Sequence, residues 1–297
     1  MPSFQAKFIH AILQLQPYGW AKGTIHEQRL RQERSARLFR IPKGINLQQI
    51  NLQGIPAEWI ACPNAKNGVI LYLHGGAYAL GSINVHREWL SRLALVTRLK
   101  VLAINYRLAP ENPFPAALED AVTAYRWLLA QGFAASDLAV AGDSAGGGLA
   151  LSTLVSLRDA GDALPACLVC ISPWVDLTLA GDSIHANAAV DPILNADILE
   201  SYAKLYTGSS QTDNPLISPL FADLNGLPPV LIHAGTNEIL LDDANRLFAA
   251  AQRAGVDVHL ETWEGLFHVF QLVAFIPETK RSLDHISKFI MRNLTSR

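Results

Sequence analysis

The chain has 297 residues, of which 50% are hydrophobic and 17% are charged, and its formal net charge is −2 at pH 7. A chain of this size and composition can bury a large core in one domain, and its near-neutral charge argues against a nucleic-acid partner. The three cysteines, an odd and small number, argue against a disulfide framework and predict a cytoplasmic location.

The N-terminal segment, residues 1–44, opens with an apolar run that is broken by histidine and glutamine, unlike a signal peptide. No other stretch is long and apolar enough to predict a membrane span. Helical spacing places Phe4, Phe8, Ile12 and Leu15 on one face. We expect this face to pack against the body of the protein and not to insert into a membrane. A basic stretch further along the segment is expected to be a solvated helix face.

Beyond this segment, short apolar runs that predict strands alternate with helical patterns. The predicted strands lie at residues 68–73, 100–106, 137–142, 166–172, 229–234 and 256–263, preceded by edge strands within 45–62. The predicted helices lie at residues 87–99, 116–131, 147–160 and 242–254. Alternation of this kind predicts an α/β fold, with a mostly parallel central sheet and helices on both faces.

Two segments fall outside this alternation. They are residues 1–44 and the helical insertion 180–212, whereas 45–297 supplies the sheet and its covering helices. We expect the two segments to form a helical cap over the carboxyl ends of the strands, where reactive groups gather in parallel sheets.

The pair Cys167 and Cys170 has the C-x-x-C spacing of a redox or metal site. Both residues lie inside a continuous apolar run, so buried strand packing explains them better. No grouping of His, Cys and carboxylate has metal-ligand spacing, and neither a metal nor a cofactor is expected.

The sequence Gly142-Asp143-Ser144-Ala145-Gly146 is a G-x-S-x-G element between a predicted strand and a predicted helix. Glycines leave room for a sharp turn that exposes the serine, and the helix N-terminus favours negative charge there. The element predicts that Ser144 is a nucleophile.

A turn at His74-Gly75-Gly76 follows the first buried strand. Backbone N–H groups of glycines can approach a developing negative charge without steric obstruction. We therefore predict an oxyanion hole formed by the N–H groups of Gly75, Gly76 and Ala145.

Nine histidines compete for the role of general base. The order of groups in such hydrolases is nucleophile, acid, base, with the base on a loop after the last strand. His268 meets this condition and is predicted to be the base. The acid should follow the strand at 229–234, and Glu238 is preferred to Asp242 and Asp243, which helix capping explains.

Together these motifs resemble the hormone-sensitive-lipase family of esterases. The motifs are HGG at residues 74–76, YRLAPE at 106–111, FPA at 114–116, GDSAGG at 142–147, SP at 172–173, DLT at 176–178, NPLISPL at 214–220, LPP at 227–229 and FH at 267–268. The resemblance covers nearly everything after residue 60. It implies an α/β-hydrolase with a helical cap that hydrolyses carboxylic esters, mostly with short acyl chains, through Ser-acid-His chemistry.

Two positions depart from the family pattern. Glu238 stands where the family usually has Asp, and Ala77 stands where many members have a third glycine. A carboxylate one methylene longer can still accept the imidazole N–H, so the orientation of the base is changed and not abolished.

The sequence predicts a serine carboxylesterase that acts on small esters with short-to-medium acyl chains through an acyl-enzyme. An amidase, carbamate hydrolase or arylformamidase would use the same groups. A non-catalytic receptor for a small ligand is a further alternative, but the presence of both Ser144 and His268 argues against it.

The alternating pattern of residues 256–263 is typical of an exposed edge strand. Such an edge can pair with a second copy of the chain, so we predict a homodimer.

Overall fold

The structure is a computed structural model that describes residues 1–295. Within these residues, eight strands form the central sheet. In chain order they are β1 (Asn46–Leu52), β2 (Ile55–Ala61), β3 (Val69–Leu73), β4 (Lys100–Ile104), β5 (Leu138–Asp143), β6 (Cys167–Ile171), β7 (Val230–Gly235) and β8 (Val258–Trp263). Their order across the sheet is β1-β2-β4-β3-β5-β6-β7-β8. The pairs β1–β2 and β2–β4 are antiparallel and the others are parallel, which confirms the predicted edge strands and mostly parallel sheet.

Helices cover both faces of the sheet. They are α1 (Phe4–Leu15), α2 (Ile25–Ala36), α3 (Ile83–Thr97), α4 (Ala116–Ala130), α5 (Ala145–Asp159), α6 (Ser183–Ala186), α7 (Ala196–Thr207), α8 (Leu241–Arg253) and α9 (Pro277–Asn293). Every residue of β3, β5, β6 and β7 is buried. Burial on both faces explains why these strands read as continuous apolar runs, with no alternation. Within residues 1–295, no helix is long and apolar enough to span a membrane.

The apolar face predicted for α1 does not pack against the body. Phe4, Phe8, Ile12 and Leu15 are 81%, 54%, 45% and 80% exposed. The prediction that this stripe is buried was wrong, although the helix itself forms with Ser3 as its N-cap.

The opposite face of α1 makes the contact with the body. Ala6 is buried in a small apolar cluster with Leu266 and Phe267, and Ile9 and Leu13 pack against the same cluster. These inward residues also follow helical spacing, so periodicity alone could not distinguish the two faces.

The basic side chains of residues 22–43 are exposed as predicted, except that of Arg29, which contacts the body. In α2, Arg29 donates hydrogen bonds to the carbonyl oxygens of Ala79 and Ala109 and pairs with Glu111. Gln28 is buried and donates to two carbonyl groups at the end of the preceding turn. This helix is therefore anchored by polar contacts.

The edge strand β8 agrees with its sequence pattern. It pairs only with β7 within the described sheet, and each of its residues is half-buried or exposed. Cys167 and Cys170 are buried in β6 as unpaired thiols, which confirms the packing interpretation.

Candidate active site

Ser144 occupies the turn between β5 and α5 with a backbone φ of +54° and ψ of −125°. The turn is possible because its flanking residues lack side chains. A Cβ added to Gly142 would lie 2.2 Å from the carbonyl oxygen of Gly146, and one added to Gly146 would lie 2.1 Å from that of Leu73. The strained turn exposes Ser144 at the carboxyl end of β5.

The structure brings Ser144, His268 and Glu238 into one chain of hydrogen bonds. His268 Nε2 lies 2.9 Å from Ser144 Oγ, and His268 Nδ1 lies 2.8 Å from Glu238 Oε2. Glu238 follows β7 and His268 follows β8, as the chain order predicts. Since a carboxylate only accepts, Nδ1–H donates to Glu238 and Nε2 is left to accept from the serine hydroxyl.

The environment of His268 favours its protonated form. Burial by itself lowers the pKa of His268, but the hydrogen bond and charge of Glu238, with the charges of Asp191 and Asp143, raise it above the ordinary value. A histidine of this kind accepts a proton from a hydroxyl more readily than an isolated imidazole does.

The second oxygen of Glu238 is held by groups that the sequence did not identify. Ser172 Oγ donates to Glu238 Oε1 at 2.9 Å and accepts from the N–H of Val269 at 3.1 Å. Gly235 N–H also donates to Oε1. Ser172 thereby links Glu238 to the residue after His268, and its place directly after the β6 strand was the available sequence signal.

Asp191 is a second buried carboxylate near His268 that the sequence reading missed. Its Oδ1 accepts from the N–H groups of Ile193 and Leu194 at 2.8 and 2.9 Å, and its Oδ2 accepts from Ile239 N–H at 2.8 Å. Burial raises the pKa of Asp191. Its sequence signal was a carboxylate directly before Pro192 and within an apolar stretch of the inserted segment.

The rejected acid candidates have other partners. Asp242 Oδ2 accepts from Ser183 N–H at 2.8 Å, and Asp243 Oδ2 accepts from the N–H groups of Val175 and Asp176. Burial raises the pKa of Asp243 to about 8. Neither carboxylate caps α8, because the N-cap residue is Leu240 and no side chain bonds to the cap, so the capping explanation was wrong. Both carboxylates instead fix the start of α8 to neighbouring segments, and neither contacts His268.

The glycine turn differs in one respect from its prediction. Gly75 N–H donates to Asp143 Oδ1 at 3.0 Å and is thus occupied. Among residues 1–295, the N–H groups of Gly76 and Ala77 have no hydrogen-bond acceptor. Ala145 is the first residue of α5, where an N–H has no intrahelical partner. The unoccupied donors beside Ser144 are therefore those of Gly76, Ala77 and Ala145.

A cavity of about 290 Å³ adjoins Ser144 and His268. Its walls are largely apolar and come from the body, from the N-terminal segment and from the insertion at 180–212. The apolar side chains that line it include Ile9, Leu13, Trp20, Ile193, Leu194, Leu199, Phe267, Leu272 and Val273. Such a cavity accepts an apolar group and presents it to the serine.

The chain is similar to known hydrolases and esterases in sequence and in fold. Residues 70–272 match the model of a protein family whose description is 'alpha/beta hydrolase fold'. An acetyl-hydrolase of Streptomyces hygroscopicus is 40% identical over 98% of this chain and 97% of its own. The structure of an esterase from the bacterial hormone-sensitive lipase family is 42% identical with a TM-score of 0.94, over 99% of both chains. EstE5, in a crystal structure soaked with p-nitrophenyl butyrate, is 40% identical in sequence to this chain. The two structures match with a TM-score of 0.93 over 98% of this chain and 99% of the EstE5 chain.

Proposed function

Since this chain belongs to the hormone-sensitive-lipase family of α/β-hydrolase esterases, we propose that it is a serine carboxylesterase with a Ser144-His268-Glu238 triad. The enzyme class, carboxylic ester hydrolase, is that of its relatives. The observation that carries the triad is the continuous hydrogen-bonded path from Ser144 Oγ through His268 to Glu238, beside an apolar cavity.

In the first step, Ser144 Oγ attacks the ester carbonyl carbon while its proton passes to His268 Nε2. The carbonyl oxygen gains negative charge as the tetrahedral intermediate forms. His268 then gives its proton to the alcohol oxygen, the bond to the alcohol breaks, and Ser144 is left as an acyl ester. Water repeats the sequence in the second step and releases the acid.

Glu238 keeps His268 in the tautomer that this path requires. Its Oε2 accepts Nδ1–H, so Nε2 faces the serine, and its charge stabilises the imidazolium that forms in each step. Its longer side chain is accommodated because Ser172 and Gly235 hold the other oxygen.

The developing oxyanion would be held by the N–H groups of Gly76 and Ala145, with Ala77 in place of Gly75. Gly75 N–H already serves Asp143, whereas Gly76 and Ala77 line the same cavity with free donors. Each such donor typically contributes about 3 kcal/mol to transition-state stabilisation. The alanine at the third position of this turn supplies an N–H as a glycine would.

The cap formed by 1–44 and 180–212 would select the acyl group. Ile9, Leu13 and Leu199 come from these segments and narrow the cavity, which favours short-to-medium acyl chains. The structural neighbour EstE5 was soaked with a butyrate ester. A homodimer formed through the β8 edge and a cytoplasmic location stay predictions from the sequence.

Replacement of the nucleophile tests the proposal. Purified Ser144→Ala should lose hydrolysis of p-nitrophenyl acetate and labelling by a fluorophosphonate probe while it keeps its fold by circular dichroism. Ser201→Ala, an exposed serine on α7, is the matched control and should keep both. Undiminished turnover by Ser144→Ala would refute the assignment, and a wild type that is never labelled would favour a receptor.

A further inference from the structure

A buried histidine and a buried aspartate lie in contact directly behind the nucleophile and outside the triad. Asp143 precedes Ser144, and His86 belongs to the first turn of α3. Their exposed fractions are 2% and 3%, and His86 Nε2 lies 3.3 Å from Asp143 Oδ2. Acyl transfer as described above uses neither side chain.

The two partners of His86 specify its charge. Nδ1 lies 3.1 Å from the carbonyl oxygen of Ser82, and Nε2 faces the Asp143 carboxylate. Both partners are acceptors, and a neutral imidazole carries a hydrogen on only one nitrogen. Both contacts are hydrogen bonds only when His86 is an imidazolium.

Asp143 in turn is surrounded by donors. Its Oδ1 accepts from Tyr72 OH at 2.9 Å and from Gly75 N–H at 3.0 Å. Tyr72 OH accepts from Trp89 Nε1, so its own hydrogen is directed to Asp143. Burial alone would raise the pKa of Asp143, but His86 and these donors lower it, and Asp143 correspondingly raises the pKa of His86 against the effect of burial.

The same carboxylate sets the position of the glycine turn. A Cβ on Gly75 would lie 2.3 Å from Asp143 Oδ2, so only glycine permits this approach. On the other side, Tyr106 OH donates to the carbonyl oxygen of His74 at 2.6 Å, and the two rings stack with centroids 4.3 Å apart. The turn is thus fixed just before Gly76.

We propose that His86 is a positioning residue for the oxyanion hole: as an imidazolium it holds Asp143, and Asp143 holds Gly75 N–H so that the next donors point at the ester oxygen. This inference rests on the proposed function. Loss of the proton from His86 would turn a lone pair toward a buried carboxylate or a carbonyl oxygen, and one of the two contacts would be lost. The N–H groups of the glycine turn would then be less well aligned with the ester oxygen. The rate of ester hydrolysis would therefore fall as the pH rises and His86 loses its proton.

Other groups around the pair do not explain such an alkaline effect. The titratable groups that face it are Tyr72 and His74 of the β3 region, Tyr106 after β4, His268 after β8, and Glu33 of α2, which binds Ser82. Burial and the charge of His86 lower the pKa of His74 to about 4, so it is neutral throughout. Burial and Asp143 raise the pKa of Tyr72 and Tyr106 well above the usual range.

Three variants test the role of His86 by kcat, KM and pH profile on p-nitrophenyl acetate. His86→Leu removes the donor and should lower kcat about 10- to 100-fold with little change in KM, because the loss falls on the transition state. His86→Gln keeps a neutral donor for Asp143 and should recover most of kcat while losing the alkaline decline of the wild type. His233→Gln is the control, since His233 is equally buried but contacts Ser282 of α9.

A second measurement does not depend on activity. In the wild type, 15N NMR at about pH 7.5, where an ordinary imidazole is mostly neutral, should show both ring nitrogens of His86 protonated, with the signal assigned by its absence from His86→Gln. A neutral tautomer would overturn the inference, as would an unchanged kcat in folded His86→Leu or an unaltered alkaline decline in His86→Gln. If the wild type itself hydrolyses no ester, the proposed function fails instead.

Discussion

Asp191 in the inserted segment accepts a hydrogen bond from the N–H of Ile239, the residue after Glu238, at 2.8 Å. Its other oxygen accepts from Ile193 and Leu194, which line the cavity. One buried carboxylate therefore joins the wall of the cavity to the loop that carries Glu238. A change in the position of the insertion is expected to reach the triad through this side chain.

Glu238→Gln should lower kcat about 10⁴-fold, because a neutral amide no longer stabilises the imidazolium and can favour the wrong tautomer. Asp242→Asn should change kcat little, since Asp242 binds Ser183 and not His268. Both variants would be assayed on p-nitrophenyl acetate after their folds are checked by circular dichroism. A larger loss in Asp242→Asn would reverse the assignment of the acid.

The pH dependence of kcat/KM should show an acid limb above the ordinary histidine pKa of about 6.5. His268 must be neutral to accept the serine proton, and its pKa is raised, so activity is lost as pH falls through that raised value. Asp191→Asn removes one of the charges that raise it and should move the limb to lower pH. Asp197→Asn, an exposed carboxylate at the start of α7, should leave it in place. A limb at or below the ordinary value in the wild type would contradict this account.

The acyl-chain profile should favour short-to-medium chains, because the cavity holds only about 290 Å³. Leu199→Ala would enlarge it and should raise kcat/KM for p-nitrophenyl laurate relative to acetate, since each buried methylene contributes about 0.8 kcal/mol. Leu205→Ala, a half-buried residue on the same helix, is the control. Identical profiles for the two variants would show that Leu199 does not limit the acyl group.

The two faces of α1 should differ in their effect on stability. Phe8 is 54% exposed, so Phe8→Gln should leave the melting temperature nearly unchanged. Leu13 packs toward Phe267, so Leu13→Gln should cost about 1 kcal/mol and lower the melting temperature by roughly 2–4 °C. Differential scanning calorimetry would measure both, and a larger loss in Phe8→Gln would restore the original prediction for this helix.

The strands of the sheet could be predicted from the sequence, because an apolar run such as residues 138–143 is a local signal of a strand that is buried on both faces. Chain order selected Glu238 and His268 among many carboxylates and histidines, and their side chains lie in one chain of hydrogen bonds with Ser144. The contact of Asp191 with Ile239 joins residues far apart in sequence, so no local pattern contains it. The occupied N–H of Gly75 likewise depends on how the turn meets Asp143.

The α1 helix illustrates a different limit. Its residues carry two apolar stripes at helical spacing, one through Phe4 and Phe8 and the other through Ile9 and Leu13. A hydrophobic period indicates that residues share a face, but it does not indicate which face meets the protein. Only the position of the body decides between them.

The burial of the three cysteines has a practical consequence. Burial raises the pKa of Cys167 and Cys170 to about 12, and Cys62 is buried as well. Alkylating reagents attack thiolates, so the folded native chain should resist maleimides. A cysteine introduced on the outer side of α1, as in Phe8→Cys, would then be a selective attachment point for a fluorophore, without any prior removal of native thiols. Such a label would report movements of the helix that borders the cavity while turnover is followed.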